Sequence, residues 1–342
     1  MSTYLVTGAA GFIAARVCEL LLEAGHRVVG IDNLNDYYDV RLKHYRLSRL
    51  LGRAWRPGEA FAPGAQPLAD AAGRFEFRRI DIENLPELDA LFGAHRFDAV
   101  LNLAARAGVR ASLEQPQVYF STNVAGMLNV LECQRKHGVR KQVLASSSSL
   151  YTGSPLPFTE DQPVNTPQSP YAASKKAAEM IAHSYHRLHG LDLSVVRYFT
   201  VFGPAGRPDM APLRFIKWID EGRPITLFGD GSQARDFTYV DDIARGTVLA
   251  LRPLGYEVIN LGGGRNPVSL QTLIGLIEGQ LGRKAQIEAR PLHEADIAAT
   301  WADITKAGRL LGWRPEVTLE EGVRRSVAWH VAHRDWLRQL AV

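Results

Sequence analysis

Thr7-Gly8-Ala9-Ala10-Gly11-Phe12-Ile13-Ala14 follows a short apolar run, Tyr4–Thr7, and opens an amphipathic stretch, Ala14–Ala24. That order reads as strand, tight turn, helix. Small residues in the turn let backbone N–H groups approach a pyrophosphate, and the helix N-terminus adds positive potential. The spacing is Gly-x-x-Gly-x-x-Ala, with Ala14 where the usual fingerprint has its third glycine. One extra methyl at a helix–strand contact is tolerable. Asp32 ends the next apolar run, Arg27–Ile31, about twenty residues on, where a carboxylate accepts hydrogen bonds from adenosine ribose hydroxyls. An acid there repels a 2′-phosphate, so the cofactor implied is NAD rather than NADP.

Outward from this turn, apolar β-branched runs alternate with helical patterns. Candidate strands are Tyr4–Thr7, Arg27–Ile31, Phe75–Ile80, Ala99–Leu103, Gln142–Ala145 and Leu193–Tyr198, with helices over Ala14–Ala24, Pro86–Phe92, Val118–His137 and Tyr171–His189. Strand then helix, repeated, with runs apolar throughout, predicts an α/β fold: a Rossmann-type doubly wound parallel sheet. From Phe199 onward Gly and Pro turns multiply, which predicts a smaller C-terminal α/β substrate-binding domain over 199–342 after a dinucleotide domain over 1–198. The 240–262 stretch, with Val258–Leu261, is the candidate for return to the main sheet. Gly52 to Gly73 is rich in Ala, Gly and Pro and has no apolar period, so an exposed loop insertion is expected over about 52–74.

Composition narrows the classes. The chain has 342 residues, 46% hydrophobic and 22% charged, with a net charge of +4, which fits an ordinary globular protein rather than a disordered or collagen-like one. The mild basic excess has no basic run behind it, so a nucleic-acid partner is not expected. No apolar run reaches 18 residues and no cleavable leader is read, so neither a membrane partner nor secretion is expected. Cys18 and Cys133 are too few for a disulfide framework or a cysteine zinc site, and a reduced cytoplasmic setting follows. His183, His186 and His189 share a helix face, but no carboxylate or cysteine completes a set; no metal is expected.

Tyr171-Ala172-Ala173-Ser174-Lys175 opens a predicted helix, where i, i+4 spacing puts phenol and ammonium on one face. A cation one turn away is expected to lower the phenol pKa toward working pH, so that Tyr171 acts as a base. Ser146-Ser147-Ser148-Ser149 ends the fifth strand, on the edge where open α/β sheets bind ligands. A hydroxyl there would bridge Tyr171 to a substrate alcohol.

These motifs together resemble the extended short-chain dehydrogenase/reductases of the nucleotide-sugar epimerase/dehydratase group. The resemblance extends from Leu5 to about Trp329 and includes Leu103-Ala104-Ala105, Arg197-Tyr198-Phe199, Arg235 through Asp242, and Leu311-Gly312-Trp313. Within the group, Asp32 through Tyr38, Ala107-Gly108-Val109-Arg110, Phe199-Thr200-Val201 and Gly206 through Met210 are similar to the UDP-glucuronate 4-epimerases. The resemblance implies a hydride cycle. Tyr171 takes the proton of the sugar 4-hydroxyl, Lys175 holds Tyr171 and the nicotinamide ribose, and Ser147 bridges. The 4-keto sugar then turns and is reduced on its other face, with NAD returned unchanged. By the same resemblance Gly8, Gly11, Phe12, Ile13, Asp32, Asn33, Lys43, Asp81, Ile82, Leu103, Ala104, Ala105, Asn123, Tyr171, Lys175 and Tyr198 hold the cofactor. Arg110, Ser147, Ser148, Ser149, Thr200, Arg207, Phe228, Arg235 and Asp296 meet the UDP-sugar, with Arg235 on the diphosphate and Asp296 on the uridine ribose. A homodimer is implied, through helices Val118–His137 and Tyr171–His189.

Related dehydratases carry an Asp-Glu pair where this chain has Ser148 and Ser149, and hydroxyls cannot replace that acid and base at neutral pH. Three serines and Thr200, where galactose epimerases carry Asn, form a donor cluster suited to a C6 carboxylate, with Arg207 or Arg110 adding charge. Other readings stay open: a UDP-glucose/UDP-galactose or UDP-N-acetylhexosamine 4-epimerase, a UDP-glucuronate decarboxylase, and a non-enzymatic NAD sensor or scaffold. The group's decarboxylases usually lack Phe199-Thr200-Val201. Departures from the pattern are Ala14, Thr152 where a glycine follows the conserved tyrosine position, and His293 where galactose epimerases carry Arg.

Overall fold

A computed structural model describes residues 1–61, 67–265, 267–291 and 297–341. Its centre is an eight-stranded sheet. In chain order the strands are β1 (Thr3–Thr7), β2 (Arg27–Ile31), β3 (Leu68–Ala69), β4 (Phe75–Arg78), β5 (Ala99–Asn102), β6 (Lys141–Ser147), β7 (Asp192–Tyr198) and finally Tyr256–Leu261. Across the sheet the order is Tyr256–Leu261, β7, β6, β5, β1, β2, β4, β3. Every pair is parallel except β3 with β4. Leu5, Val6, Val28, Val29, Val100 and Leu101 are wholly buried, as strands covered on both faces require. The order in which successive strands are added reverses at β1, which lies between β2 and β5. The ligand crevice of such sheets opens at this switch point, beyond the strands' C-terminal ends.

Helix α1 (Phe12–Glu23) starts directly from the glycine turn, and α2 (Arg41–Leu50) follows β2. A second core holds Phe215, Ile216, Ile219, Ile225, Leu227, Leu273, Ile277, Val323 and Val327, and Phe12 from α1 joins it. It is built on the parallel pair Ile225–Phe228 and Ile287–Arg290 with helices Ala211–Glu221, Leu270–Leu281 and Leu319–Ala332. This second core is therefore packed against the first helix of the sheet. Among the described residues, no helix is long and apolar enough to cross a membrane.

Several segments differ from their sequence reading, among them β6, which extends over Lys141–Ser147 rather than Gln142–Ala145. The expected strand Phe75–Ile80 stops at Arg78. The expected helix Val118–His137 is divided into Pro116–Phe120, a widened π-turn Ser121–Gly126, and Met127–His137. Ser121 and Thr122 donate to the Glu83 carboxylate there, and a Cβ on Gly126 would come within 2.8 Å of Ile82. That close contact and the paired hydroxyls account for a turn wider than α. Within the expected insertion the described residues, 52–61 and 67–73, are largely exposed but not featureless: Leu68–Ala69 pairs with Phe77 and Glu76. Trp55 lies 4.6 Å from Trp336 and 5.8 Å from Tyr45, ring to ring. Trp329 completes this cluster, donating its indole N–H to Tyr45 Oη at 2.8 Å. Burial of large aromatic area anchors the insertion to the C-terminal helix.

Candidate active site

A cleft of about 520 Å³ opens along the sheet's C-terminal edge. The glycine turn forms its floor. Gly8 adopts φ +70°, and a Cβ there would lie 2.9 Å from the Ala104 backbone, so conformation and contact both demand glycine. Gly11 donates its N–H to the Gly8 carbonyl at 2.7 Å. As N-cap of α1 it brings no side-chain cap, which leaves first-turn amides for an anion. Thr7 Oγ1 donates to Asn102 at 2.7 Å and accepts from the Ala104 N–H at 3.0 Å, which fixes the Leu103–Ala105 wall.

Asp32 stands at the end of β2. Its Oδ1 accepts from the Leu34 N–H at 2.7 Å and from Lys43 Nζ at 3.4 Å. Asn33 donates to Asp81 at 2.7 Å. The turn, Asp32 and this polar rim fit an adenosine dinucleotide. Gly8, Gly11, Phe12, Ile13, Asp32, Asn33, Lys43, Asp81, Ile82, Leu103, Ala104, Ala105, Tyr171, Lys175 and Tyr198 all line the cleft. Asn123 does not. Carried inward by the π-turn, its carboxamide accepts from the Arg106 N–H at 2.8 Å and donates to the Arg106 carbonyl and Ser174 at 2.9 Å each; it shapes the wall from behind. Tyr198 lines the cleft, while its hydroxyl pairs with Thr247 at 2.8 Å.

Helix Pro170–His189 is started by Ser169, whose Oγ accepts from the Ala172 N–H at 3.1 Å, with proline at its first position. Tyr171 and Lys175 therefore occupy its first two turns, both buried. Ser147 closes β6; its hydroxyl accepts from the Ser149 N–H and donates to Ser149 Oγ, each at 3.1 Å. Lys175 Nζ donates to the Ala145 carbonyl at 3.1 Å. Burial pushes this ammonium down to about 8, opposed by the Glu179 charge.

The sequence predicts that Lys175 lowers the Tyr171 pKa. The structure corrects this: burial pushes the phenol above its ordinary value, and it is Ser147 hydrogen bonding and then the Arg207 charge that pull it back. Desolvation outweighs a cation whose donor is already turned to a main-chain carbonyl.

On the substrate side, Ser148, Ser149, Thr200, Arg207 and Arg235 line the same cleft. Ser148–Tyr151 forms a single 3₁₀ turn, and Thr152 closes it, donating its hydroxyl to the Ser149 carbonyl at 2.9 Å. The residue that departs from the family glycine thus steadies the serine run. Arg235 donates to the Ala234 and Ile297 carbonyls at 2.9 Å each. Arg110 and Phe228 are not among the cleft-lining residues; they pack on each other, guanidinium 4.1 Å from the ring centroid. Asp296 and His293 lie outside the described residues.

Sequence reading assigned no role to Tyr37, Gly108 or Asp209, although it quoted the motifs containing them. A Cβ on Gly108 would fall 2.4 Å from Tyr37 Oη. Arg207 lies 5.5 Å from the Tyr37 ring centroid, donates to the Ala107 carbonyl at 3.3 Å and pairs with Asp209. Three of the four motifs quoted for the subgroup, those holding Tyr37, Gly108 and Arg207, therefore converge on one corner. Behind the serines, Glu179 and Arg197 form a buried bidentate pair at 2.7 and 2.9 Å. Ser146 donates to Glu179 at 2.6 Å, and Arg197 to Tyr151 Oη at 2.7 Å. Among the described residues, no group of three or more His, Cys, Asp or Glu side chains is placed to hold a metal ion.

Comparison with known proteins agrees with this architecture. The family model for NAD dependent epimerases/dehydratases matches residues 4–262. A UDP-glucuronate 4-epimerase of Thermodesulfobacterium geofontis is 53% identical over 342 residues, all of both chains. The crystal structure of UDP-glucuronic acid 4-epimerase from Bacillus cereus, in complex with UDP-glucuronic acid and NAD, is 36% identical. It superposes with TM-score 0.85, covering 97% of this chain and 99% of that one. A Thermotoga maritima UDP-glucose 4-epimerase with UDP-glucose matches at 31% identity and TM-score 0.83, over 97% and 99% of the two chains. With a dinucleotide turn, an acid at the end of β2 and a Tyr-x-x-x-Lys helix on one cleft, the chain belongs to the NAD-dependent epimerase/dehydratase family.

Proposed function

We propose that this enzyme interconverts UDP-glucuronate and UDP-galacturonate by oxidation and re-reduction at C4. The observation that carries the reading is a single cleft in which Ser147, Ser148, Ser149, Thr200 and Arg207 share the lining with Tyr171 and Lys175. Hydroxyl donors and a guanidinium suit a C6 carboxylate, and hydroxyls at 148 and 149 cannot expel water from the sugar. The T. geofontis and B. cereus relatives carry the same substrate in their names. Bound NAD supplies the hydride acceptor and, in the second half-reaction, the donor. Tyr171 takes the 4-hydroxyl proton and later returns it, Ser147 bridges phenol and sugar oxygen, and Lys175 holds the ribose beside them. Asp32 takes the adenosine ribose hydroxyls, and Arg235 the diphosphate.

Proton NMR of the purified protein with UDP-glucuronate and no added cofactor tests this, with UDP-glucose in a parallel tube. UDP-galacturonate as sole product is expected. UDP-pentose with CO₂, or turnover of UDP-glucose alone, would overturn it. Thr200→Asn is expected to erode the preference for glucuronate over glucose.

The same reading includes a homodimer. Phe120, Leu128, Met180 and Leu188 are exposed on the helices that flank the π-turn and on Pro170–His189, an apolar set that a second copy would cover. Light scattering is expected to give twice the chain mass. We place the enzyme in the cytoplasm, where its unpaired buried thiols, Cys18 and Cys133, persist reduced.

A further inference from the structure

Helix α2 is polar in sequence yet buried along most of its length: Lys43, His44, Arg46 and Ser48 are each less than a tenth exposed. Arg46 is the one that reaches furthest. Its Nη1 donates to the Ala10 carbonyl at 3.1 Å and to Tyr38 Oη at 2.7 Å. Its Nε and Nη2 donate to the Ala205 carbonyl at 3.1 and 2.6 Å, and Nη2 also to Gly206 at 3.2 Å. Ala10 sits inside the dinucleotide turn. Ala205 and Gly206 immediately precede Arg207.

We propose that Arg46 is a positioning residue that couples the dinucleotide turn to the loop presenting Arg207, so that the substrate side of the cleft is set from the cofactor side. Ala205 adopts φ +52°, a left-handed conformation that alanine rarely takes unless its surroundings hold it there. Two of the Arg46 bonds end on its carbonyl. Gly206 packs beside the same turn, since a Cβ there would lie 3.8 Å from the Phe12 ring, and the Arg46 guanidinium is 5.9 Å from that ring's centroid. A planar fork with five N–H donors makes all five of these bonds, spread over three chain segments; an ammonium has three donors on a single nitrogen and cannot make five. Arg46 touches neither hydride nor proton path, and its role in catalysis rests on the proposed epimerase reading.

The test compares wild-type holoenzyme with Arg46→Lys, Arg46→Met and Tyr38→Phe by three readouts: amide hydrogen exchange over 203–210, the rate of NAD release, and KM against kcat for UDP-glucuronate. Arg46→Met is expected to speed exchange at 203–210 and raise KM, each about tenfold, with faster NAD release and kcat within about threefold, within the usual range of couplings between sites. Arg46→Lys is expected to fall between, and Tyr38→Phe to stay near wild type at 203–210. Should Arg46→Met not fold, Arg46→Lys alone carries the comparison. Exchange at 203–210 unchanged in Arg46→Lys, or a kcat loss that merely tracks lost folded protein with KM constant, would reduce Arg46 to a packing residue and end the proposal. A wild type inactive on UDP-glucuronate sinks the epimerase reading but leaves the exchange and NAD-release comparison intact.

Discussion

The Lys175 ammonium donates to the Ala145 carbonyl across 3.1 Å, which ties the helix carrying Tyr171 to the strand that ends in Ser147. This bond holds Tyr171 and Ser147, the proposed base and bridging hydroxyl, on one rigid frame. It also keeps a buried cation away from the bulk water that would favour its charge, and burial brings its pKa to about 8.

Activity that needs the charged form of Lys175 is therefore expected to decline on the alkaline side, since the ammonium is full below about 8 and lost above it. Glu179 supports the charge. Glu179→Gln should move the alkaline limb of kcat/KM to lower pH, and a full pH profile of both proteins checks the direction. An unmoved limb would assign it to another group.

Ser147 hydrogen bonding is the largest of the influences that lower the Tyr171 pKa against burial. Ser147→Ala is expected to raise the Tyr171 pKa further and to reduce kcat. Tyr171→Phe should cost more, about 10²–10⁴-fold, with bound NAD retained. Cofactor released by denaturation and measured by chromatography separates lost chemistry from lost binding.

Asp32 meets Lys43 at 3.4 Å, and both line the cleft. Asp32→Gly is expected to weaken NAD retention at least about tenfold, given that charge-assisted hydrogen bonds contribute about 1.5–3 kcal/mol. It should also raise the NADP share of the bound cofactor, because Lys43 then faces a 2′-phosphate without a competing carboxylate. Mass spectrometry of the extracted cofactor reads both effects.

The Arg197–Glu179 pair has side chains only 3% exposed on each partner. Arg197→Met leaves a buried carboxylate unpaired and is expected to cost about 3–5 kcal/mol in denaturant unfolding. Adding Glu179→Leu should recover much of that loss, since a buried pair replaced by apolar groups is often nearly neutral. A double variant no better than the single one would mean that Ser146 and Tyr151, not the pair's charge, set the cost.

The parallel core was legible because Leu5–Val6, Val28–Val29 and Val100–Leu101 leave little choice but burial on both faces. The glycine turn, Asp32 and the Tyr171–Lys175 helix were legible for a local reason: each sets its geometry within one turn or strand end. What escaped depends on contacts distant in sequence. Nothing near Val118 announces a π-turn, because Ile82 and Glu83 impose it from another segment. The packing of Arg110 on Phe228 joins two distant parts of the chain, and neither motif contains it. The Tyr171 pKa likewise depends on burial and on Arg207, neither of which the Tyr-x-x-x-Lys spacing contains.

The chain has six tryptophans, and three of them, Trp55, Trp329 and Trp336, crowd together with Tyr45, with Trp55 and Trp336 ring centroids only 4.6 Å apart. Chromophores that close, held in one chiral arrangement, couple optically. The near-ultraviolet circular dichroism of this enzyme is therefore expected to be dominated by the seam between the 52–61 segment and the C-terminal helix, well away from the serine run. Its tryptophan spectrum is a reporter of that seam, and ligand titrations are better followed at the cofactor's own absorbance.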